Sequence, residues 1–372
     1  MNFDGKIMQK LVFYIVLLFL SVQSFSQPVK KVLNGSDVDL FDSFLLPWNA
    51  ALISKNNDSI VCGAVVIAEH WLLTVAHCNN NLGNVAIVGT HSVDVDNLVL
   101  LHNRYKFNIV DKISHPDYDP LTFLNDIALL RVDRSLFDVS QAIKIATVNE
   151  QYIVDEQFRN SWATNIDSSS TTIASGWGDT VSKGYPSILQ VVTLAGVPDE
   201  QCIGLTDNHD YIVCADSNIN GLIKDVCNGD SGNPLIWQNE QTMSDSDKGV
   251  RLIGLASNGA ICLNRNNFPE NQYNQLTGQY TQVSSYKLWI EDCLKKHHGY
   301  EDFTLNDNKL KPTIDIDPFV SIPDYPQERP SPEPEPEKEI VTTDSSGGLV
   351  SWYFILIILV ITGLDKLRLL KN

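Results

Sequence analysis

The stretch from Asp225 to Leu235 surrounds one serine with two glycines, two aspartates and a cysteine. A serine hydroxyl is a poor nucleophile until a base removes its proton. Gly229 and Gly232 would let the backbone turn tightly beside Ser231 and direct N–H groups at an oxyanion, which a larger residue would obstruct. The stretch therefore indicates acyl-transfer chemistry, although a Gly-Asp-Ser-Gly sequence on its own is more typical of a surface turn before a strand.

Two other segments supply the partners that an activated serine needs. His77 directly follows the apolar run Leu73–Ala76, and Asp126 directly precedes the apolar run Ile127–Leu130. Taken singly, a histidine there is more often a packed side chain and an aspartate there a turn residue. An activated serine requires both a base and a carboxylate that orients the base. Together the three motifs predict Ser231 as nucleophile, with His77 as its base and Asp126 as the orienting group.

The chain order His77, Asp126, Ser231 is that of the chymotrypsin-type arrangement, and it differs from the orders in subtilisin and in α/β-hydrolases. With these separated motifs in place, the segment from about Val32 to His297 resembles a trypsin-like serine endopeptidase of the chymotrypsin family. The resemblance implies an all-β fold of two packed six-stranded antiparallel β-barrels with a C-terminal helix. It also implies that the N–H groups of Gly229 and Ser231 form the oxyanion hole.

The resemblance places Asp225 at the base of the primary substrate pocket, six residues before the serine. A carboxylate there would pair with the cationic end of Arg or Lys and would offer no comparable interaction to a neutral side chain. Gly259 and Gly278 fall where family members keep the pocket walls open, and Ser257-Asn258-Gly259 matches the strand that would hold the substrate backbone. The alternatives are an exposed turn aspartate and a pocket for aromatic residues, which the carboxylate opposes.

Among the residues that depart from the pattern of the family are Asn258, Asn233 and Val226. Asn258 stands where a tryptophan is usual, so the neighbouring pocket is expected to be smaller or more polar. Asn233 replaces a glycine, and asparagine tolerates left-handed backbone conformations better than most residues. Val226 replaces a small polar residue, which leaves the balance between Arg and Lys open.

Most of the seven cysteines are expected to form disulfides, because an exported chain folds in an oxidising compartment, and the odd number leaves one over. The resemblance implies three bridges and one unpaired residue: Cys62–Cys78, Cys202–Cys214, Cys227–Cys262 and the single Cys293. The chemistry requires no cofactor, and the histidines show no metal-ligand spacing.

The resemblance also implies a zymogen. Lys31 precedes Val32, where the family is cut to become active. Cleavage would free an α-ammonium on Val32 that could enter the fold and pair with Asp230. A buried aspartate beside the nucleophile needs such a partner, because an unpaired buried charge is expensive. Residues 27–31 are therefore predicted to be an activation propeptide, removed by another protease.

Both ends of the chain carry apolar runs. Two lysines precede the run Leu11–Leu20 and small residues follow it, so residues 1–26 are predicted to be a removed signal peptide. A retained anchor is the alternative, for which the run is short. Export would make Asn34 and Asn57 glycosylation sites.

The chain after the predicted protease domain, residues 32–298, changes in composition. Residues 299–348 are acidic and rich in proline, which predicts a disordered, solvated stalk. Residues 349–364 are apolar and predict a single transmembrane helix, with residues 365–372 as a short cytoplasmic tail. A removed lipid-anchor signal is the alternative, and a secreted form follows if neither anchor is kept.

Short apolar runs separated by polar turns, from about residue 32 to 284, are typical of a sandwich or barrel. The strongest runs are Ile60–Val61, Ala64–Ile67, Trp71–Leu73, Val85–Val88, Ile127–Leu130, Gln190–Leu194, Leu235–Trp237, Leu252–Leu255 and Tyr280–Val283. Helical spacing over Ser284–Lys296 predicts a closing helix.

Two classes of function fit these observations. The first is a serine endopeptidase held at the outer cell surface, acting on proteins or peptides with Arg or Lys at the cleaved bond. The second is a catalytically silent, protease-like binding module, although homologues of that kind typically lose a member of the triad and this chain has all three. A net charge of −18 argues against a nucleic-acid partner.

Overall fold

In the computed structural model of the chain, the residues that can be described are 35–40, 45–56, 59–178, 186–222, 224–226, 229–259, 277–298 and 313–324. All of them belong to the first of two compact units, Met1–Arg329. Several predicted features lie outside the described residues: the signal peptide, Lys31 and Val32, the sequons at Asn34 and Asn57, Cys227, Cys262, and residues 349–372. The helices within the described ranges are all too short or too polar to cross a bilayer.

The first barrel is a closed ring of six strands in the order β2-β3-β4-β7-β6-β5. Its strands are β2 (Asn49–Ser54), β3 (Ile60–Ala68), β4 (Trp71–Thr74), β5 (Leu82–Val88), β6 (Lys106–Ser114) and β7 (Ala128–Val132). β-branched and other apolar residues dominate β3 and suit a pleated strand. Nearly all of that strand is buried, because one face fills the barrel while the other is covered by neighbouring structure.

The second barrel closes because β9 pairs with both β8 and β10, completing the ring β9-β10-β13-β12-β11-β8. Its strands are β8 (Thr172–Gly176), β9 (Gln190–Val197), β10 (Ile212–Ser217), β11 (Pro234–Gln238), β12 (Val250–Asn258) and β13 (Gly278–Gln282), with β1 (Ser36–Asp37) added on β9. Neighbouring strands in both barrels are antiparallel. The predicted fold class is thus confirmed for the two barrels.

Within the described ranges, three α-helices accompany the barrels. Helix α1 (Val148–Ser161) lies within the connection between them, α2 (Lys287–His298) closes the protease domain as predicted, and α3 (Pro318–Ser321) comes later in the chain. Helix α1 begins with a capping box in which Thr147 Oγ1 accepts from the Glu150 N–H and Glu150 accepts in return from the Thr147 N–H.

Residues 313–324 correct the prediction of a solvated stalk over 299–348. Ile314 and Ile322 are each only 6% exposed and pack with the main core, and Phe319 packs against the same core. The acidic, proline-rich composition averaged over the whole region hides these apolar side chains. This part of the predicted stalk therefore packs against the protease domain. It is called the 313–324 segment below.

Candidate active site

His77 lies in a short 3-10 turn, Ala76–Asn80, directly after strand β4. The disulfide between Cys62 and Cys78 ties this turn to strand β3. The backbone N–H of His77 donates to Asp126 Oδ1 at 2.9 Å, so the aspartate fixes the main chain as well as the ring. Strand, disulfide and hydrogen bond together leave the imidazole little freedom to move.

The carboxylate of Asp126 is fully buried and collects three hydrogen bonds. His77 Nδ1 lies 2.8 Å from Oδ2, and the Ser257 hydroxyl donates to the same oxygen at 2.7 Å. Because a carboxylate accepts, Nδ1 carries the ring proton and Nε2 is left as the basic nitrogen. The Thr281 hydroxyl also donates to the Asp126 backbone carbonyl, at 2.8 Å. The first barrel thus supplies the histidine and aspartate, and the second barrel holds the aspartate in place.

Ser231 lies in a loop shaped by glycines with left-handed backbone angles, φ +95° at Gly229 and +84° at Gly232. A Cβ on Gly232 would come within 2.2 Å of Thr74 Oγ1, so only glycine fits there. The Gly63 N–H donates to the Ser231 carbonyl at 2.7 Å, which ties the loop to the first barrel. This explains the two glycines that frame the serine in the sequence.

The histidine and the serine flank the same disulfide. The Ser231 carbonyl lies 3.8 Å from Cys78 Sγ, and a ring nitrogen of His77 lies within 4.8 Å of both sulfurs of the Cys62–Cys78 bridge. Within the described part of the chain, the Ser231 hydroxyl makes no hydrogen bond, to His77 or to any other group. Such a contact commonly tightens only when substrate is bound.

The backbone N–H groups of Gly229 and Ser231 have no acceptor among the described residues. Between them, the carboxylate of Asp230 is fully buried and accepts from the Gly178 N–H at 2.6 Å. A Cβ at Gly176 or Gly178 would clash with this carboxylate, at 1.9 and 2.3 Å from its oxygens. The turn Gly176-Trp177-Gly178 therefore surrounds the Asp230 carboxylate with backbone. The predicted partner of Asp230, Val32, lies outside the described residues.

Asp225 is buried between the two glycines that the sequence assigns to the pocket walls. A Cβ at Gly278 would lie 2.8 Å from Asp225 Oδ1, and one at Gly259 would lie 3.8 Å from Oδ2. The side chain is only 2% exposed and accepts from the Val226 N–H at 2.7 Å, so it is not a solvated turn residue. Asp225, Gly259 and Gly278 thus meet in one place.

The electrostatics of this place favour a cation. Burial, the charge of Asp216 and that of Asp230 hold the pKa of Asp225 well above its usual value, against the bond from Val226. Burial also raises the pKa of Asp216 to about 6. No Lys, Arg or His of the described chain lies within ion-pair distance of Asp225. A cationic side chain entering here would favour the ionised form of Asp225 and supply a positive charge that the described residues do not.

Several contacts at the site have no clear signal in the sequence. Thr281 reaches Asp126 from strand β13, and Asp216 acts on Asp225 from strand β10. The ring of Phe123 stands edge-on to His77 with centroids 5.6 Å apart, in a residue with φ +57°. These contacts arise from register and loop conformation, which no local motif encodes.

Asn233 also differs from its sequence interpretation, because it is not among the residues with positive φ. Its side chain is instead buried against strand β3, where a Cβ on Gly63 would meet it at 2.1 Å, and Asn49 Nδ2 donates to its oxygen at 3.5 Å. Asparagine here packs between the barrels rather than relieving a backbone strain.

The disulfides agree with the prediction as far as the described residues extend. Cys62–Cys78 and Cys202–Cys214 are both formed, and Cys293 in helix α2 is a free thiol. The predicted pair of Cys227 and Cys262 lies outside the described residues.

Comparison with known proteins agrees with this geometry. A protein-family model described as Trypsin matches residues 41–290. Human kallikrein-4 is 27% identical over 270 residues, covering 71% of this chain and 88% of the relative. Trypsin from Sus scrofa is 28% identical over 249 residues, covering 65% of this chain and 89% of the relative.

Vitamin K-dependent protein C from Mus musculus is 26% identical over 294 residues, which cover 76% of this chain and 55% of that relative. The matched family region contains both barrels and the buried aspartate that holds the histidine. The chain belongs to the trypsin family of serine proteases.

Proposed function

We propose that the protein hydrolyses peptide bonds after Arg or Lys, with Ser231 as nucleophile. His77 Nε2 takes the proton of the serine hydroxyl as the oxygen attacks the scissile carbonyl, and later gives that proton to the leaving amine. Water then attacks the acyl-enzyme, and the same histidine acts again as base. Asp126 keeps the ring in the tautomer with Nδ1 protonated and stabilises the imidazolium that forms.

The observation that carries this proposal is the 2.8 Å contact between His77 Nδ1 and the fully buried carboxylate of Asp126. Burying a carboxylate is costly unless its hydrogen bonds are satisfied, and here the histidine and Ser257 satisfy one oxygen together. Because the buried carboxylate of Asp126 is held beside the imidazole, it can orient His77 as a base.

Stabilisation of the oxyanion is assigned to the N–H groups of Gly229 and Ser231. Their lack of acceptors among the described residues supports this role, because donors for a developing charge must be free before the reaction. Each such donor is worth about 3 kcal/mol of transition-state stabilisation.

Preference for Arg or Lys is assigned to Asp225, with Gly259 and Gly278 keeping access open and Ser257, near the end of strand β12, on the stretch that holds the substrate backbone. The support is the burial of the carboxylate without a cation in the described chain. A substrate ammonium or guanidinium would supply the missing charge, whereas a neutral side chain would leave it unpaired.

We also propose that the enzyme is made as a zymogen, cut after Lys31 so that the new α-ammonium of Val32 pairs with Asp230. Full burial of the Asp230 carboxylate supports this, because a cation at that depth would be strongly stabilising. Uncut Lys31→Gln protein should be inactive. Turnover by that protein at the rate of the cleaved wild type would contradict the zymogen model.

For location we propose export followed by tethering at the outer cell surface through residues 349–364, with glycans on Asn34 and Asn57. Alkaline extraction distinguishes a membrane-spanning helix, which stays in the membrane, from a secreted protein, which does not. Release by a phosphoinositide-specific phospholipase would instead identify a lipid anchor. A shift in mass on treatment with an amidase that removes N-linked glycans tests the two sequons.

The decisive experiment is labelling of the activated protein with a fluorophosphonate, which reacts only with an activated serine. Wild type should be labelled, while Ser231→Ala and His77→Ala should not. A catalytically silent binding module predicts no labelling of any variant. Cleavage of a peptide library then tests specificity, since Asp225→Ser should abolish the preference for Arg and Lys; unchanged turnover of Arg substrates would overturn that assignment.

A further inference from the structure

The 313–324 segment lies outside the region matched by the family model and crosses one side of the second barrel. Its Ile314 N–H donates to the Ser246 carbonyl at 2.8 Å, and Asp317 accepts from Gln238 of strand β11 at 2.9 Å. At its far end, Asp324 accepts from Ser170, just before β8, and from Thr193 of β9. The segment thus meets β11, β8 and β9 in the order in which those strands pair.

Its end completes a site around a buried lysine. Lys224 is only 1% exposed, and its ammonium donates to Asn218 Oδ1 at 2.6 Å and to the carbonyl and hydroxyl of Thr193 at 3.2 and 3.1 Å. A further acceptor is the backbone carbonyl of Asp324. A buried ammonium has a large desolvation cost, so each of these oxygens matters to its position.

All of these contacts are made by neutral oxygens. Burial lowers the pKa of Lys224 to about 8, although the nearby Asp324 carboxylate opposes the shift. The lysine is therefore an ammonium at neutral pH that depends on its cage for solvation. Losing the oxygen supplied by Asp324 would leave the cage incomplete.

Lys224 is the neighbour of Asp225 in the chain, and the two side chains have different surroundings. The lysine is held by Asn218, Thr193 and Asp324, whereas the aspartate lies between Gly259 and Gly278. Fixing the lysine therefore fixes the backbone from which the pocket carboxylate projects.

We propose that Lys224 is a positioning residue for Asp225, and that the 313–324 segment, through the Asp324 carbonyl, tunes the affinity of the primary pocket for cationic side chains. This inference rests on the proposed function, in which Asp225 binds Arg or Lys. It gives the chain beyond the closing helix a role in substrate selection.

Three full-length variants test it after activation. Lys224→Met removes the ammonium, and Ile322→Asp places a charge on the buried side of the segment and should release it. Val320→Asp is the matched control, because it makes the same kind of change on the same segment at a side chain that is 78% exposed. Each variant is assayed for kcat and KM on paired peptides with Arg or norleucine at the cleaved bond, and for fluorophosphonate labelling of Ser231.

Lys224→Met and Ile322→Asp should each raise KM for the Arg peptide on the order of tenfold. The norleucine peptide and the labelling rate should stay within about twofold of wild type, as should every property of Val320→Asp. The inference would be overturned if both test variants had the wild-type KM for the Arg peptide. Equal losses on both peptides and in labelling would overturn it too, since the segment would then support the whole fold rather than the pocket.

Failure of the proposed function has a different signature. A wild-type protein that is not labelled lacks an activated serine, and a labelled wild type that is indifferent to charge at the cleaved residue does not use Asp225 for selection. Either result appears before any variant is compared, so it is distinguishable from failure of the positioning role.

Discussion

At the scale of single residues, a second acid, Asp216, acts on the pocket carboxylate of Asp225. Asp216 of strand β10 is one residue beyond Ala215, which pairs with Gly278 across the β10–β13 ladder. Its charge is the second contribution, after burial, that raises the pKa of Asp225. Binding of a cation requires ionised Asp225, so the affinity of the pocket for cations should increase as pH rises through this elevated pKa.

Replacing Asp216 by Asn removes the repelling charge, so the pKa of Asp225 should fall. The inhibition constant of benzamidine, a small cation, measured from pH 5 to 9 should then show its midpoint at lower pH than in wild type. If the midpoint falls by about one pH unit, binding at pH values below it should strengthen about tenfold. Asp207→Asn, an exposed change of equal charge, is the control. An unchanged midpoint in Asp216→Asn would show that the two acids do not interact.

The functional residues that could be predicted from the sequence are those that occur in a short local motif. His77, Asp126, Ser231 and Asp225 each occur in a short pattern that specifies their chemistry. Asp216 carries no such pattern, because its effect depends on which residue of β13 faces its strand. Register of this kind is set by the whole sheet and not by neighbours in the chain.

At the scale of elements, helix α1 is fastened to the second barrel by buried charges. Arg251 of strand β12 contacts Glu150 at 2.7 Å and Asp247 at 3.1 Å, and Lys144 contacts Asp247 at 2.5 Å. Burial would raise the pKa of both carboxyls, but the hydrogen bonds and positive charges around each hold its pKa below the usual value. Arg251 is therefore the cation beside Glu150, while Asp247 shares Arg251 with Lys144.

Arg251→Met should lower the free energy of unfolding by about 3 kcal/mol at neutral pH, because it leaves Glu150 without its cation and Asp247 with Lys144 alone. The pKa values of Glu150 and Asp247 are lower in the folded protein than in the unfolded chain. The stabilisation that their charges contribute is therefore fully present above the unfolded pKa of about 4, and it is lost as pH falls through the folded pKa. The destabilisation measured by urea titration should therefore shrink at low pH.

The control for this change is Arg159→Met, on the exposed side of α1, where the pair with Glu156 is open to solvent. Exposed pairs contribute about 1 kcal/mol or less, so the control should remain near wild type at every pH. Equal and pH-independent losses in the two variants would show that lost packing, not charge, explains the effect.

The elements themselves could be predicted where they are continuous apolar runs, as in β3, β4 and β12. Strand β6 has no such run, because only Phe107 and Ile109 are buried along it and the exposed Asn108 lies between them. Helix α1 is largely polar, and its readable signature is the capping box at Thr147 and Glu150. The packing of the 313–324 segment could not be predicted in this way, because its few apolar side chains stand among acidic and proline residues.

At the scale of the whole molecule, activity depends on how the two barrels meet. His77 and Asp126 belong to the first barrel, and Ser231 to the second. The closest link between nucleophile and first barrel is the 2.7 Å hydrogen bond from the Gly63 N–H to the Ser231 carbonyl. The side chain of Asn233 lies directly over Gly63, so residue 63 has no room for a methyl group.

Gly63→Ala should therefore push the barrels apart at the serine, since its Cβ would lie 2.1 Å from the Asn233 side chain. We expect a loss of about 1–3 kcal/mol in stability and, because Ser231 moves with its loop, a fall in kcat on the order of a hundredfold. Asn233→Gly removes the obstructing side chain and should have a small effect alone. The double variant should recover most of the lost kcat, which a double-mutant cycle measures as coupling. A double variant no faster than Gly63→Ala would mean that the methyl group acts on something other than Asn233, and the fit of these two residues would not set the distance between the barrels.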